Sequence, residues 1–378
     1  MRQLFFYGTL RDTNLLAVVL GRAVEDLDLV PAVLPGFEAC AVKGQTFPFA
    51  RRTEGHKAPG LLARGLTDPE IERLCFYEGA YLYGLSPQPV LVNGQEQIAE
   101  VFLSDHAGWE PDGTWDLDRW MAADKGVAAE AAIEAMAFMG ERPADDVHTH
   151  FNSIRLRAQA RLTARVSAPV NLRRGLRLGD AQTVALRRPY LKFFSVEERD
   201  IRFQKYNGKS SSTVERAVFM SADAATVLPY DPVNDLVLLI EQFRAGPYCR
   251  GDQNPWLLEP IAGRCDLGES FADTARRECV EEAGLALTGL EKIASYYTSP
   301  GAYSEYIHSF IGIADLKGHV EAVHGMADEH EDIRSFAVPF TALMQAVADG
   351  EADNGPLLVS AMWLAANRDR LRAKYANA

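Results

Sequence analysis

Residues 263–285, "GRCDLGESFADTARRECVEEAGL", set the tightest condition on what this chain folds into. Ser270, followed three residues later by Asp273, is a helix N-cap, and Gly284 is placed to end that helix in the left-handed conformation. At about 3.6 residues per turn, Glu278, Glu281 and Glu282 fall within an arc of roughly 100°. Like charges three and four apart repel and weaken an isolated helix. Solvent or a bound cation must relieve that repulsion. Arg277 and Glu281 stand four apart and can pair, whereas Glu278 and Glu282, also four apart, point the same way. Gly263 permits a tight bend as the chain leaves the strand-like "WLLEPIA". Oxygen ligands on one rigid face, helped by a nearby backbone carbonyl, suit a hard cation such as Mg²⁺.

Composition narrows the surroundings of this helix. The 378 residues predict two or three domains, and 47% hydrophobic with 24% charged residues is ordinary for a globular chain. A net charge of −13 argues against broad nucleic-acid or anionic-membrane binding. Cys40, Cys75, Cys249, Cys265 and Cys279 are odd in number and lack CxxC spacing, which predicts reduced thiols rather than disulfides or zinc. The opening "MRQLFFYGTLRD" has too short an apolar run for a signal segment, and no stretch reaches the length of a spanning helix. The expected location is cytoplasmic.

Along the chain, "LFFYGTL" reads as a buried strand entering a Gly turn. Thr67 and Glu70 form a capping box, and Asn93-Gly94 centres a hairpin. Residues 117–168 are Ala-rich and helical. The run 155–188 is arginine-rich and reads as a linker pairing with the acidic domains; His148 and His150 read as solvated linker histidines. From about 185, strand signals surround the acidic helix, giving an α/β or α+β class.

The acidic segment resembles the Nudix hydrolase box, with Gly263, Glu269, Arg277, Glu278, Glu281, Glu282, Gly284 and Leu285 at its fixed positions. Cys279 stands at an aliphatic position, where a free thiol packs as a small hydrophobe. The resemblance implies a mixed sheet sandwiched by helices over 185–378. It implies Mg²⁺, with Mn²⁺ as substitute, held by Glu278, Glu282, the carbonyl of Ala262, Glu281 and Glu331. Arg277 would hold the glutamates in place and Glu269 would be its structural partner.

Further segments look like bacterial ADP-ribose pyrophosphatases: "LPYDPVNDLVLLIEQFRAG", "PWLLEPIAGR", "SPGAYSE", "HGMADEHEDIRSFAVP" and "DGEADNGPLLVSAMWL". Pro300 follows Leu285 by fifteen residues, the offset of that branch. By this resemblance the substrate is ADP-ribose, cleaved to AMP and ribose 5-phosphate. Arg216, Arg244, Glu259, Pro300, Glu305 and Phe193 would contact it, and Glu329, on a polar loop, would be the general base. Family members pair as homodimers, so a homodimer through this domain is expected.

At the front, "YGTLR" followed by "CFYEGAYLYG" is similar to γ-glutamylcyclotransferase-like, or AIG2-like, proteins. That implies a mixed β-barrel with helices over 1–140, leaving 141–184 as the linker. Tyr7, Gly8, Thr9 and Leu10 would cradle a γ-glutamyl-amine-type substrate, with Glu78 as acid/base. Members usually carry a basic residue soon after the motif's tyrosine; here Leu82 and Tyr83 follow Tyr81. A retained fold serving as a binding or dimerisation module is the other reading. The fused arrangement resembles bacterial tellurite-resistance proteins. Two rival functions for the whole chain are γ-glutamyl cyclisation with a regulatory Nudix half, and a non-catalytic ADP-ribose sensor.

Overall fold

Alternation of apolar side chains along the first strand sets the front half. In β1 (Arg2–Phe6), Phe5 points to one core while Leu4 and Phe6 point to another. The computed structural model describes residues 2–79, 83–104, 108–166, 169–326 and 331–375. After β1 come α1 (Thr13–Leu20), β2 (Asp28–Val42), β3 (Pro48–Leu66) and α2 (Asp68–Glu78). Then follow β4 (Gly84–Val92), β5 (Gln95–Leu103), β6 (Pro111–Thr114), α3 (Leu117–Ala123), α4 (Lys125–Met136), α5 (Ala144–Thr149) and α6 (Phe151–Thr163). The strands pair in the order β3-β1-β5-β4-β2-β6, and β2 also pairs with β3, so the circuit of five strands closes on itself. Among the described residues, β1–β5 is the one parallel pair of this sheet. Phe5, Leu34, Leu62, Val90 and Val101 fill the interior. Leu4, Phe6 and Leu66 pack outward on α1, α2 and α4. The β4–β5 turn holds Asn93 at φ 51° and Gly94 at φ 81°, the geometry an Asn-Gly hairpin requires. Thr67 and Glu70 complete their capping box at the start of α2.

The stretch read as a linker is more built than expected. Helix α6 lies on α4, sharing a core of Ala131, Ala135, Phe138, Ile154 and Ala158. Its arginines do meet acids: Arg155 pairs with Asp124, Arg157 and Arg161 with Glu134, and Arg165 with Glu130. His148 is not solvated. Its ring stacks on Phe151 at 5.4 Å, and burial lowers its pKa.

The second half continues with β7 (Ala181–Leu191), β8 (Ser195–Phe203), β9 (Val214–Met220), β10 (Ala224–Asp231), β11 (Leu236–Phe243), α7 (Ala245–Arg250), β12 (Trp256–Glu259) and β13 (Ile261–Arg264). It ends with α8 (Phe271–Ala283), β14 (Gly289–Tyr297), β15 (Tyr306–Ile313), β16 (Ala322–His324), β17 (Ile333–Pro339), α9 (Phe340–Asp349) and α10 (Gly355–Lys374). β7, β8 and β9 form a three-stranded sheet. The larger sheet runs β14-β15-β10-β11-β17-β16, with β12 on β11 and β13 on β10; β10–β15 is its parallel pair. Alternate residues serve opposite faces: Val227, Leu238 and Phe310 meet α8, while Leu228, Leu239 and Ile311 meet α9 and α10. Cys279 is fully buried in the α8 layer, as a small hydrophobe would be. Among the described residues no helix is long and apolar enough to cross a membrane.

Candidate active site

Helix α8 is fixed at both ends by its own sequence. Ser270 accepts from the Asp273 amide, and Gly284 ends the helix at φ 60°. Its amphipathic packing turns Glu278 and Glu282 inward, 8% and 2% exposed. Opposite them lies β13, where Gly263 is in register with Ala225 rather than at a bend. Its purpose is room: a Cβ there would stand 1.7 Å from Glu278 Oε1. The sequence pointed to the right residue for the wrong reason.

Arg277 gathers the carboxylates. It donates to Glu269 at 3.0 and 3.1 Å, to Glu278 at 2.7 Å, to Glu281 at 2.8 Å and to the Arg264 carbonyl at 3.1 Å. These contacts raise its pKa further, Glu269 foremost. Glu282 instead accepts from the Ala262 amide at 3.1 Å. Burial pushes the Glu278 carboxyl up to about 7 and that of Glu282 to about 9. The charge of Glu331 adds to both shifts. Glu331 itself accepts from the Met326 amide at 3.1 Å.

The expected metal set is therefore assembled only in part. Among the described residues, no three His, Cys, Asp or Glu groups stand ready to hold an ion together. Arg277 draws Glu278 and Glu281 to itself, and Glu282 turns to an amide. The donor chemistry still fits a hard dication: buried oxygens whose charged forms repel one another are what such an ion satisfies.

Around this centre, Arg244 forks onto buried Glu259, with Nε 3.1 Å from both oxygens and Nη2 2.5 Å from one. Asn354, the N-cap of α10, also donates to Glu259, at 3.0 Å. Glu305 is held above the usual carboxylate range by burial, against the pull of Tyr303, Arg264 and Arg244. Pro300 lies in an exposed turn whose Ala302 carbonyl accepts from Phe219. Arg216 is exposed on β9 and donates to the Glu215 carbonyl. Phe193 is 66% exposed between β7 and β8. Glu329 lies outside the described residues. Three members of this neighbourhood escaped the sequence reading: Arg264, Asn354 and Asp223, whose carboxyl burial and Glu305 push to about 7. The Asn-Gly-Pro run at 354–356 was the available signal for one of them, a helix cap.

In the front domain, Gly8 approaches Pro48 so closely that a Cβ would lie 2.9 Å from its ring. Thr9, Leu10 and Arg11 form a single 3₁₀ turn, with the Leu10 side chain buried in the core. Tyr7 donates to the Phe102 carbonyl at 3.1 Å. Glu78 ends α2, half-buried, its carboxyl pushed by burial to about 7, and its charge is felt at Tyr7. The motif's Tyr81 lies outside the described residues.

Comparison with known proteins assigns both halves. Residues 220–359 match the NUDIX domain model and residues 4–117 match gamma-glutamyl cyclotransferase, AIG2-like. An ADP-ribose pyrophosphatase of Escherichia coli strain K12 is 38% identical over 197 residues, 52% of this chain and 93% of that protein. One from Haemophilus influenzae is 35% identical, over 49% of this chain and 86% of its own length. A GDP-mannose pyrophosphatase of Yersinia enterocolitica is 34% identical, over 40% and 78%. With its box glutamates facing one another beneath that match, the chain belongs to the Nudix hydrolases, carrying an AIG2-like domain ahead of the hydrolase domain.

Proposed function

We propose that the C-terminal half is a Mg²⁺-dependent pyrophosphatase that hydrolyses ADP-ribose, with water added at one phosphorus and the P–O–P bond broken, to give AMP and ribose 5-phosphate. The observation that carries this reading is the pair of buried carboxylates, Glu278 and Glu282, on one face of α8 beside the Arg277 fork. ADP-ribose pyrophosphatases at 35–38% identity support the substrate.

Glu278, Glu282 and the Ala262 carbonyl would hold Mg²⁺ or Mn²⁺, with Glu281 and Glu331 beside them. The ion, when bound, offsets the diphosphate charge and makes water more acidic. Arg277 orients Glu278 and Glu281 and keeps their charges tolerable. Arg244 keeps Nη1, with no acceptor among the described residues, for a phosphate oxygen. Glu329 is proposed as the base that takes the water's proton. Arg216, Phe193, Pro300, Glu259 and Glu305 would line the remaining substrate. Exposed Val184, Phe203 and Phe219 on β7–β9 support a homodimer, and a cytoplasmic location suits the nucleotide substrate.

The test is incubation of the purified chain with ADP-ribose, GDP-mannose and other nucleoside diphosphate sugars, with product identification. AMP and ribose 5-phosphate are expected, abolished by EDTA and restored by Mg²⁺ or Mn²⁺. If GDP-mannose is cleaved while ADP-ribose survives, the second reading, favoured by the 34% relative, replaces the first.

For residues 1–140 the proposal is γ-glutamyl-amine cyclisation, with Glu78 moving the proton of the attacking amine. Its raised pKa beside Tyr7 supports this. 5-Oxoproline formation that disappears in Glu78→Gln is expected; no product from any γ-glutamyl amine would leave a binding or dimerisation module.

A further inference from the structure

An open cleft of about 360 Å³ in the front domain is lined by Arg11, Thr114, Trp115, Asp116, Leu117 and Asp118. Three of these carry groups that the fold leaves unused. Arg11 ends the 3₁₀ turn, and its Nε is buried without an acceptor among the described residues. Arg157, buried in α6, forks onto Glu134 through Nε and Nη2, and its Nη1 is likewise buried without a partner among the described residues. The indole Nε1 of Trp115 is likewise buried and unpartnered. Asp116 is employed as the N-cap of α3, accepting from Arg119 at 3.0 Å. Asp118, in the first turn of α3, has no hydrogen-bond donor among the described residues. Arg11 loses basicity through burial and recovers part of it from the Asp118 charge. The two nonetheless form no ion pair within 4 Å, so a gap separates a cation from an anion.

Charge selects what bridges that gap. A phosphate or a plain dicarboxylate would satisfy Arg11 but meet two aspartates. A plain amine would satisfy Asp118 but meet a desolvated guanidinium. A zwitterion satisfies both. We infer that this cleft binds the ammonium–carboxylate head of an amino acid, with Arg11 and Trp115 Nε1 donating to the carboxylate and Asp118 accepting from the ammonium. The inference rests neither on the hydrolase reading nor on Glu78, which does not line the cleft.

The full chain is titrated with glycine, L-alanine and L-glutamate by calorimetry and by tryptophan fluorescence, with glutarate, 1,4-diaminobutane and inorganic phosphate as comparison probes. At least one amino acid is expected to bind and to change the fluorescence, with the change lost in Trp115→Phe. Affinity should fall tenfold or more in both Arg11→Gln and Asp118→Asn, while ADP-ribose hydrolysis is unaffected. Asp118 is exposed, so Asp118→Asn decides the matter if Arg11→Gln does not fold. Binding of glutarate or phosphate as tight as that of any amino acid, unchanged affinity in Asp118→Asn, or no binding of any amino acid would each overturn the inference.

Discussion

Gly263→Ala is a one-carbon change aimed at the centre of the site. The new Cβ would stand 1.7 Å from Glu278 Oε1, 2.0 Å from Cδ and 2.7 Å from Cγ. Normal carbon contact begins at about 3.5 Å, so the carboxylate must retreat by roughly 2 Å. Retreat breaks the 2.7 Å bond from Arg277, and a bond to a charged partner is worth about 1.5–3 kcal/mol. For a domain of this size that lowers Tm by roughly 3–12 °C. Misplacing a reacting group by about 1 Å costs about 10²-fold in rate, so turnover of a nucleoside diphosphate sugar should drop at least that far. Specificity comes from a double-mutant cycle. In a Glu278→Ala background there is no carboxylate to displace, so Gly263→Ala should then cost under about 0.5 kcal/mol. Urea melts and single-turnover rates of the four proteins supply the numbers. Equal costs in both backgrounds, or a single variant with near-normal rate, would refute the steric argument.

Glu282→Gln should remove most turnover while far-UV circular dichroism stays native, because the amide keeps the shape but loses the charge; near-normal rates would contradict the metal role. Glu134→Ala leaves Arg157, 2% exposed, without its partner, and should cost about 3–5 kcal/mol in a urea melt. Replacing both by leucine and methionine should recover most of that loss, and failure to do so would argue that Arg161 and Glu130 dominate the network. The Glu78 carboxyl has a folded pKa of about 7, raised by burial from 4.5. A raised carboxylate means the folded chain holds the proton longer, so its contribution is full below pH 4.5 and is lost as pH rises through 7. The loss is at most about 3 kcal/mol, less for the solvent that a half-buried group retains. Melts from pH 5 to 8 should fall less steeply in Glu78→Gln than in the unmodified chain; coincident slopes would rule out this assignment.

What could be read from the sequence was local. The caps at Ser270 and Gly284, the Thr67–Glu70 box and the Asn93-Gly94 turn each involve residues within a few positions, and each stands as its chemistry predicts. The role of Gly263 was misread because its partner, Glu278, is fifteen residues away and the constraint is empty space. Asp223, Arg264 and Asn354 entered the neighbourhood by strand register and a helix start, which one chain's spacing does not reveal. The arginine run was legible as charge but not as packing: Glu134 lies inside an Ala-rich helix that gives no sign of burying it.

Charge balance at α8 argues for the proposed ion independently of motif matching. Glu269, Glu278 and Glu281 share the one guanidinium of Arg277, and Glu282 has only an amide. A further cation of this neighbourhood, Arg244, pairs with Glu259. The cluster thus carries more negative than positive charge before any substrate arrives, and burial has already driven Glu278 and Glu282 toward holding protons. A diphosphate adds two more negative charges at neutral pH. Without added positive charge it would be repelled from the groups meant to act on it. Arg277 cannot supply the deficit, because moving toward phosphate would release three carboxylates. A dication meets both needs at once, which is why Arg277→Ala is expected to impair folding as well as turnover, and why raising Mg²⁺ should rescue its rate only in part.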